Sequence, residues 1–201
     1  MYNKVAISIL VLCLAISNAQ SQPLVSKSVL KFNRERKNIG TASMSVLGGY
    51  ALGNMVACIP NAINLSGRDK YFNEMNVYWN VVNLGIAIGG LIGNDRKDFE
   101  SLDLATTLKE QKQTLKIYGI NAGLDVVYIG SGLALMNFAH RAPKAEDRLY
   151  AYGESILLQG GFLLLYDSAM LIIHAAHLKK AQKREGGLSF SERGMGLKYE
   201  F

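Results

Sequence analysis

The sequence predicts an all-α membrane protein: an antiparallel four-helix transmembrane bundle with a cleaved signal peptide and a short C-terminal β-like tail. Four apolar stretches predict the bundle, at residues 39–63, 74–94, 117–139 and 151–178. Each is close to the ~20 residues that a helix needs to cross ~30 Å of hydrocarbon. None contains Lys or Arg. The first connection, residues 65–73, is short enough to make the first two spans antiparallel, whereas the second, residues 95–116, is long and charged.

Residues 1–19 have the three parts of a signal peptide. Lys4 lies in a short basic region, residues 5–16 are apolar, and Ser17-Asn18-Ala19 forms a small-x-small cleavage site. A lipoprotein signal at Cys13 is the alternative, but the bulky Leu12 disfavours it. We therefore expect export with removal of the leader.

The segments outside the spans are polar and basic. Residues 20–38 predict a surface arm or a short interfacial helix before the 39–178 bundle. The second connection, 95–116, carries apolar residues at helical spacing, which predicts either an extension of the spans or a helix on the membrane surface. Residues 179–201 form a basic linker and the strand-like tail.

Composition excludes several classes of protein. The formal charge of +6 lies in the loops, and no Lys/Arg stripe is interleaved with aromatic residues, so we expect no nucleic-acid partner. Without the leader, Cys58 is the only cysteine, so no intrachain disulfide can form. Catalytic and nucleotide-binding motifs are missing, which disfavours an enzyme, and we expect no cofactor.

Polar residues recur at helical spacing within three of the spans and predict inward-facing stripes, because such a face is unstable against lipid. They are Asn76, Asn80, Asn83, Ala87 and Gly90 in the second span; Asn121, Asp125, Tyr128 and Gly132 in the third; and Tyr50, Asn54, Ala57, Asn61 and Asn64 in the first. Small residues at four-residue spacing predict close helix approach. They are Gly49 and Gly53; Gly85, Gly89 and Gly93; and Gly119 and Gly123.

Two acids, Asp125 and Asp167, lie near the middle of the third and fourth spans, at almost the same depth in antiparallel neighbours. Carboxylates at this depth are costly and must face the bundle interior. Two interpretations are open. The acids form a proton- or cation-handling pair, or they join two helices through hydrogen bonds to residues such as Asn121, Tyr128 or Gln159.

His174 and His177 follow Asp167 on the same helix and are weak candidates for a metal site. Their spacing is not the i, i+4 pair of zinc enzymes. Histidines are also favoured at the carboxyl end of a helix by its dipole. We therefore predict no metal site.

The tail ends in alternating residues, with Met195, Leu197, Tyr199 and Phe201 at every second position. It resembles the terminal strand of bacterial outer-membrane proteins, in which a final Phe and an aromatic residue two positions earlier assist recognition by the assembly machinery. The resemblance covers about fourteen residues. It implies that the tail pairs with a partner or with its own copies.

The whole mature chain resembles small uncharacterised four-span envelope proteins of Bacteroidetes-type bacteria, through Asn121-x3-Asp125-x2-Tyr128 and the segment ending at Asp167. The resemblance implies an envelope location and no activity. Basic residues on one side and a cleaved leader give opposite orientations under the positive-inside rule, so inner and outer membrane both stay open.

Together these features predict a structural or assembly subunit of a membrane complex. The alternative is a small proton- or cation-coupled transporter or channel using Asp125 and Asp167. The expected partners are the lipid bilayer and either further copies of the chain or other envelope proteins.

Overall fold

A computed structural model describes residues 26–184, 188–191 and 194–197. It contains four helices, α1 (Lys27–Asn64), α2 (Gly67–Arg96), α3 (Leu104–Ala139) and α4 (Glu146–Arg184), and two short strands, β1 (Leu188–Ser191) and β2 (Gly194–Leu197). The strands pair antiparallel with Leu188 opposite Leu197. The predicted signal peptide, Tyr199 and Phe201 lie outside the described residues.

Capping explains why two helices begin before the apolar spans. Helix α1 starts within the predicted arm, where the Ser26 hydroxyl accepts the Val29 N–H at 3.3 Å. Helix α3 starts at Leu104, where the Asp103 carboxylate accepts the Thr106 N–H at 2.8 Å. The second connection is therefore mainly an extension of the third span, one of the two predicted alternatives.

The chain folds as two helical hairpins packed against each other. Only Leu65 and Ser66 separate α1 from α2, and Gly67 has a φ of 60°, in the left-handed region that glycine adopts without strain. The closest helix pairs are α3 with α4 and α1 with α2, followed by α2 with α4. Helices α1 and α3 run in the same direction, since Asn33 bonds Thr107 and Ser43 bonds Tyr118.

The bundle has a polar interior and an apolar exterior. The largest fully buried side chains are all polar: Gln111, Gln159, Asn33, Asn76, Asn80, Thr107 and Ser155. The exposed large hydrophobic side chains include Val56, Ile63, Leu165 and Ile172. All four helices are long and apolar enough to cross a membrane. This distribution is the reverse of a water-soluble protein, and it identifies a multi-pass membrane protein.

Burial follows a seven-residue repeat in the second hairpin, typical of helices that cross at a shallow angle. The repeat in α3 comprises Gln111, Tyr118, Asp125, Gly132 and Ala139. In α4 it comprises Gly153, Gly160, Asp167 and His174. The two series face each other along the length of the helix pair. Gly132 and Gly153 lie near the α3–α4 connection, and His174 lies near the opposite end.

The closest backbone contact joins α3 to α4 at Gly132 and Gly153. A Cβ atom on Gly132 would lie 2.8 Å from the Gly153 carbonyl oxygen, and one on Gly153 would lie 2.6 Å from the Gly132 carbonyl oxygen. The glycines at four-residue spacing, which were predicted to allow close helix approach, are not at such contacts within the part of the chain that the structure describes. There a Cβ would meet nothing within 4 Å at any of the seven positions: Gly49, Gly53, Gly85, Gly89, Gly93, Gly119 and Gly123.

The predicted inward stripe of the first span is also wrong over most of its length. Ala57, Asn61 and Asn64 are exposed, and the buried face runs through Ser43, Leu47, Gly48, Ala51 and Cys58. Asn54 and Asn61 donate to the carbonyls four residues earlier, Tyr50 and Ala57, at 2.9 and 3.2 Å.

Beyond the spans, the helices form a polar head of residues 27–38, 95–116 and 177–182. At ~1.5 Å per residue, 38-residue α1 is ~57 Å long, well over the hydrocarbon thickness. Glu110 accepts from Arg36 and pairs with Lys97, both at 2.5 Å. Burial acts to raise the pKa of Glu110, but the hydrogen bonds from Lys97 and Arg36 outweigh it and hold the pKa below its usual range.

We expect Gly132→Ala to destabilise the bundle by about 1–3 kcal/mol, because its methyl group would meet backbone atoms of α4 that cannot move independently. Gly130→Ala is the matched control, since a Cβ there meets nothing within 4 Å. It should be neutral or stabilising by up to about 1 kcal/mol. Thermal unfolding in detergent compares the two, and equal melting temperatures would contradict the proposed contact.

We expect Glu110→Gln to cost about 1–2 kcal/mol at neutral pH, since the buried Arg36 loses its carboxylate partner. The pKa of Glu110 is lower in the folded protein, so its contribution is present above the usual glutamate pKa of 4.5 and disappears as pH falls through the folded value. The melting temperatures of the wild type and the Glu110→Gln variant should therefore differ at pH 7 and converge in acid. Glu100→Gln, which breaks the exposed pair with Arg34, is the control and should change little. If the melting temperatures of wild type and Glu110→Gln differ by the same amount at every pH, the stabilising role of the ionised Glu110 is refuted.

Candidate functional site

The main candidate site is a cavity of about 370 Å³ in the middle of the bundle, which we call the carboxyl cavity. All four helices contribute to its wall. Its polar lining consists of Asn83, Thr114, Tyr118, Asn121, Asp125, Tyr128, Tyr166 and Asp167. Its apolar lining consists of Met44, Leu47, Trp79, Val82, Ile86, Ile117, Leu124 and Leu163. This size lies within the ~300–1,000 Å³ typical of small-molecule sites.

Asp125 and Asp167 lie side by side on the cavity wall. Both are buried, with 2% and 5% of their surface exposed, and their carboxyl groups are close enough to interact. A hydrogen bond between two carboxyl groups requires a proton on at least one of them. Among the residues that the structure describes, no Lys or Arg lines the cavity, and the amide of Asn121 is a neighbouring donor. A pair that shares one proton carries one negative charge, which suits a proton or one monovalent cation.

Three further predicted residues also line this cavity. Asn83 is almost fully buried, and its Nδ2 has no hydrogen-bond partner among the described residues. Asn121 and Tyr128 are half-buried. The ring of Tyr128 packs edge-on against Trp79, with the centroids 5.0 Å apart.

The other predicted amides lie outside the cavity, between α2 and α4. Gln159 donates to the Asn76 Oδ1 at 2.7 Å, and Asn80 donates to the Asn76 carbonyl at 2.7 Å. Asn80 Oδ1 and Gln159 Oε1 are buried without a described partner. These residues join the two hairpins, and they continue the polar interior from the carboxyl cavity toward the α1–α2 connection.

The carboxyl cavity opens sideways between α2 and α3. Val82 and Ile86 of α2 and Ile117 and Leu124 of α3 line it, yet each is 45–54% exposed on the outer surface. Helices α2 and α3 are not among the closely packed pairs. The opening is therefore bordered by aliphatic side chains at the depth of the hydrocarbon layer.

A second pocket of about 410 Å³ adjoins the cavity on the side of the polar head. The two share Thr114, Ile117 and Tyr118, and Arg36, Lys97 and Glu110 line the outer part of the second pocket. A tyrosine layer lies at the junction. The Ser43 hydroxyl is 3.0 Å from that of Tyr118 and 2.5 Å from that of Tyr166.

The two candidate metal ligands have separate partners. The His174 carbonyl accepts from Gln111 at 3.0 Å, and its ring stacks on Tyr118. His177 bonds Glu35 at 3.0 Å and stacks on Phe32. Within residues 26–184 and the two strands, no three His, Cys, Asp or Glu side chains form a group that could hold a metal ion.

Sequence analysis missed Trp79, Thr114, Tyr118 and Ser43. Tyr118 could have been found, because it lies seven residues before Asp125 and extends the same stripe by two turns. Trp79 carries no such signal, since an aromatic residue in an apolar span suits lipid, a helix contact or a cavity equally well.

A family match covers residues 46–168, more than half of the chain. The chain belongs to the family of unknown function DUF6992. The matched segment contains Asp125, Asp167 and every lining residue of the carboxyl cavity except Met44. No curated protein and no solved structure matches the chain.

Proposed function

We propose that this DUF6992 protein is a small proton- or cation-coupled transporter of the cell envelope, with Asp125 and Asp167 as its binding pair. One observation carries the proposal: the two acids are buried neighbours on the wall of a cavity large enough for a solute. Acids that only join two helices need no space beside them. This favours transport over the purely structural role that the sequence suggested first.

Access supports the same proposal. The carboxyl cavity opens between α2 and α3 and also adjoins the second pocket, which leads toward the head. On the other side, the amides of Asn76, Asn80 and Gln159 are buried, and Gln159 bonds Asn76. A solute therefore has a route to the acids from between α2 and α3 or from the side of the head.

We expect vesicles containing the purified protein and an internal pH-sensitive dye to show proton flux under an imposed pH, Na⁺ or K⁺ gradient. Asp125→Asn and Asp167→Asn should each abolish the flux, because an amide keeps a hydrogen bond but cannot release a proton. Thermal melts establish that the variants are folded. Asp103→Asn is the control, since Asn also caps a helix and Asp103 lies outside the spans. Flux that persists in both cavity variants, or that does not exceed protein-free vesicles, would refute the proposal.

A structural or assembly role is the second candidate, and the outward glycines favour it. Gly85, Gly89 and Gly93 lie on one face of α2 with no atom of their own chain near a Cβ. Small residues at this spacing let a helix from another subunit approach closely. The partner would be a second copy of the chain or another envelope protein, with the tail residues Tyr199 and Phe201 as a further contact.

We expect Gly89→Ile to reduce the size of the complex on native gels if α2 packs against another subunit, because the larger side chain would hold the two backbones apart. Gly161→Ile in α4 is the control, since it is also free of contacts within the chain. Deletion of residues 199–201 tests the tail separately. Unchanged size in the Gly89 variant and in the deletion would remove the support for assembly.

A further inference from the structure

We propose that the carboxyl cavity binds a monovalent organic cation: an ammonium group carried on an apolar body. This deepens the proposed function by naming the class of solute. It rests on the composition of the cavity wall, on its sideways opening and on the position of Trp79.

The wall suits an organic cation better than a divalent metal ion. A divalent ion such as Ca²⁺ takes six to eight oxygen ligands, and Mg²⁺ takes six in near-ideal octahedral geometry. The cavity offers two neighbouring carboxyl groups together with aliphatic side chains such as Leu47, Ile86 and Leu163. A volume of about 370 Å³ corresponds to about a dozen waters at ~30 Å³ each. An ammonium group with a hydrocarbon substituent fills such a space and needs fewer ligands.

Aromatic rings supply the second element of recognition. Trp79 and Tyr128 form an edge-to-face pair on the wall that also carries Asp125. The face of an indole ring attracts a quaternary or protonated amine, and the attraction is greatest where water is excluded.

The route of entry agrees with an apolar body. The opening between α2 and α3 is bordered by Val82, Ile86, Ile117 and Leu124, at the level of the hydrocarbon. The alternative route passes Arg36, Lys97 and Glu110. These three side chains carry a net positive charge, which repels a free cation. A solute that partitions into the bilayer reaches the acids without passing that cluster.

Trp79 provides the measurement, because it is the only tryptophan in the chain and lines the cavity. The full-length protein in a neutral maltoside detergent is titrated with benzyltrimethylammonium while its tryptophan fluorescence is recorded. The matched probe is neopentylbenzene, which has the same shape and no charge. Tetramethylammonium tests the charge without the aromatic body. We expect saturable binding of benzyltrimethylammonium, at least about tenfold tighter than either control.

The Asp125→Asn, Asp167→Asn double variant should lose this preference, whereas Asp69→Asn at the start of α2 should retain it. Equal affinity for the neutral probe would show a merely apolar cavity and overturn the inference. That comparison uses the wild-type protein, so it holds even if the double variant fails to fold. Proton flux in vesicles without binding of the organic cation would leave the proposed function intact and refute only this choice of solute.

Discussion

The contact of Gly132 with Gly153 is the constraint on which the rest of the interior depends. With no side chain on either residue, α3 and α4 approach until backbone meets backbone. Two turns before Gly132 in α3, the same seven-residue repeat brings Asp125 beside Asp167. Two turns earlier again, it brings Tyr118 beside His174. Because α4 packs so closely on α3 and also on α2, the remaining space lies between α2 and α3. The carboxyl cavity occupies that space.

Polar groups inside a membrane protein are expensive unless they bond to one another. Between α2 and α4, Gln159 bonds Asn76 and so joins the two hairpins. Both regions keep some unpaired atoms among the described residues: Asn80 Oδ1 and Gln159 Oε1 between α2 and α4, and Asp125 Oδ2 and Asn83 Nδ2 around the carboxyl cavity. Asp125 and Asn83 differ in that they line a cavity, where a solute has room to bond them.

The spans and the second-span stripe could be predicted, because both depend on properties local to one helix: the absence of Lys and Arg over ~20 residues and the recurrence of Asn at helical spacing. That Asp125 and Asp167 lie close together could be predicted by comparing how deep each acid lies in its span. The glycine contacts could not be assigned, because Gly132 and Gly153 stand in different helices and share no motif, whereas the four-residue glycine motifs face outward. The first-span stripe failed because α1 buries the face of Ser43, Leu47 and Ala51 instead, and which face packs depends on the other helices, which periodicity within one helix does not reveal.

The two-hairpin architecture also dictates an order of assembly in the membrane. Asp125 and Asp167 belong to the same hairpin, so they can pair as soon as α3 and α4 have been inserted. Asn76 and Ser43 of the first hairpin must wait for Gln159 and Tyr166, 83 and 123 residues away in sequence. Until the hairpins dock, the first one carries unpaired amides in the lipid. We therefore expect the half-assembled chain, rather than the inserted helices or the finished bundle, to be the form that membrane quality-control proteases attack.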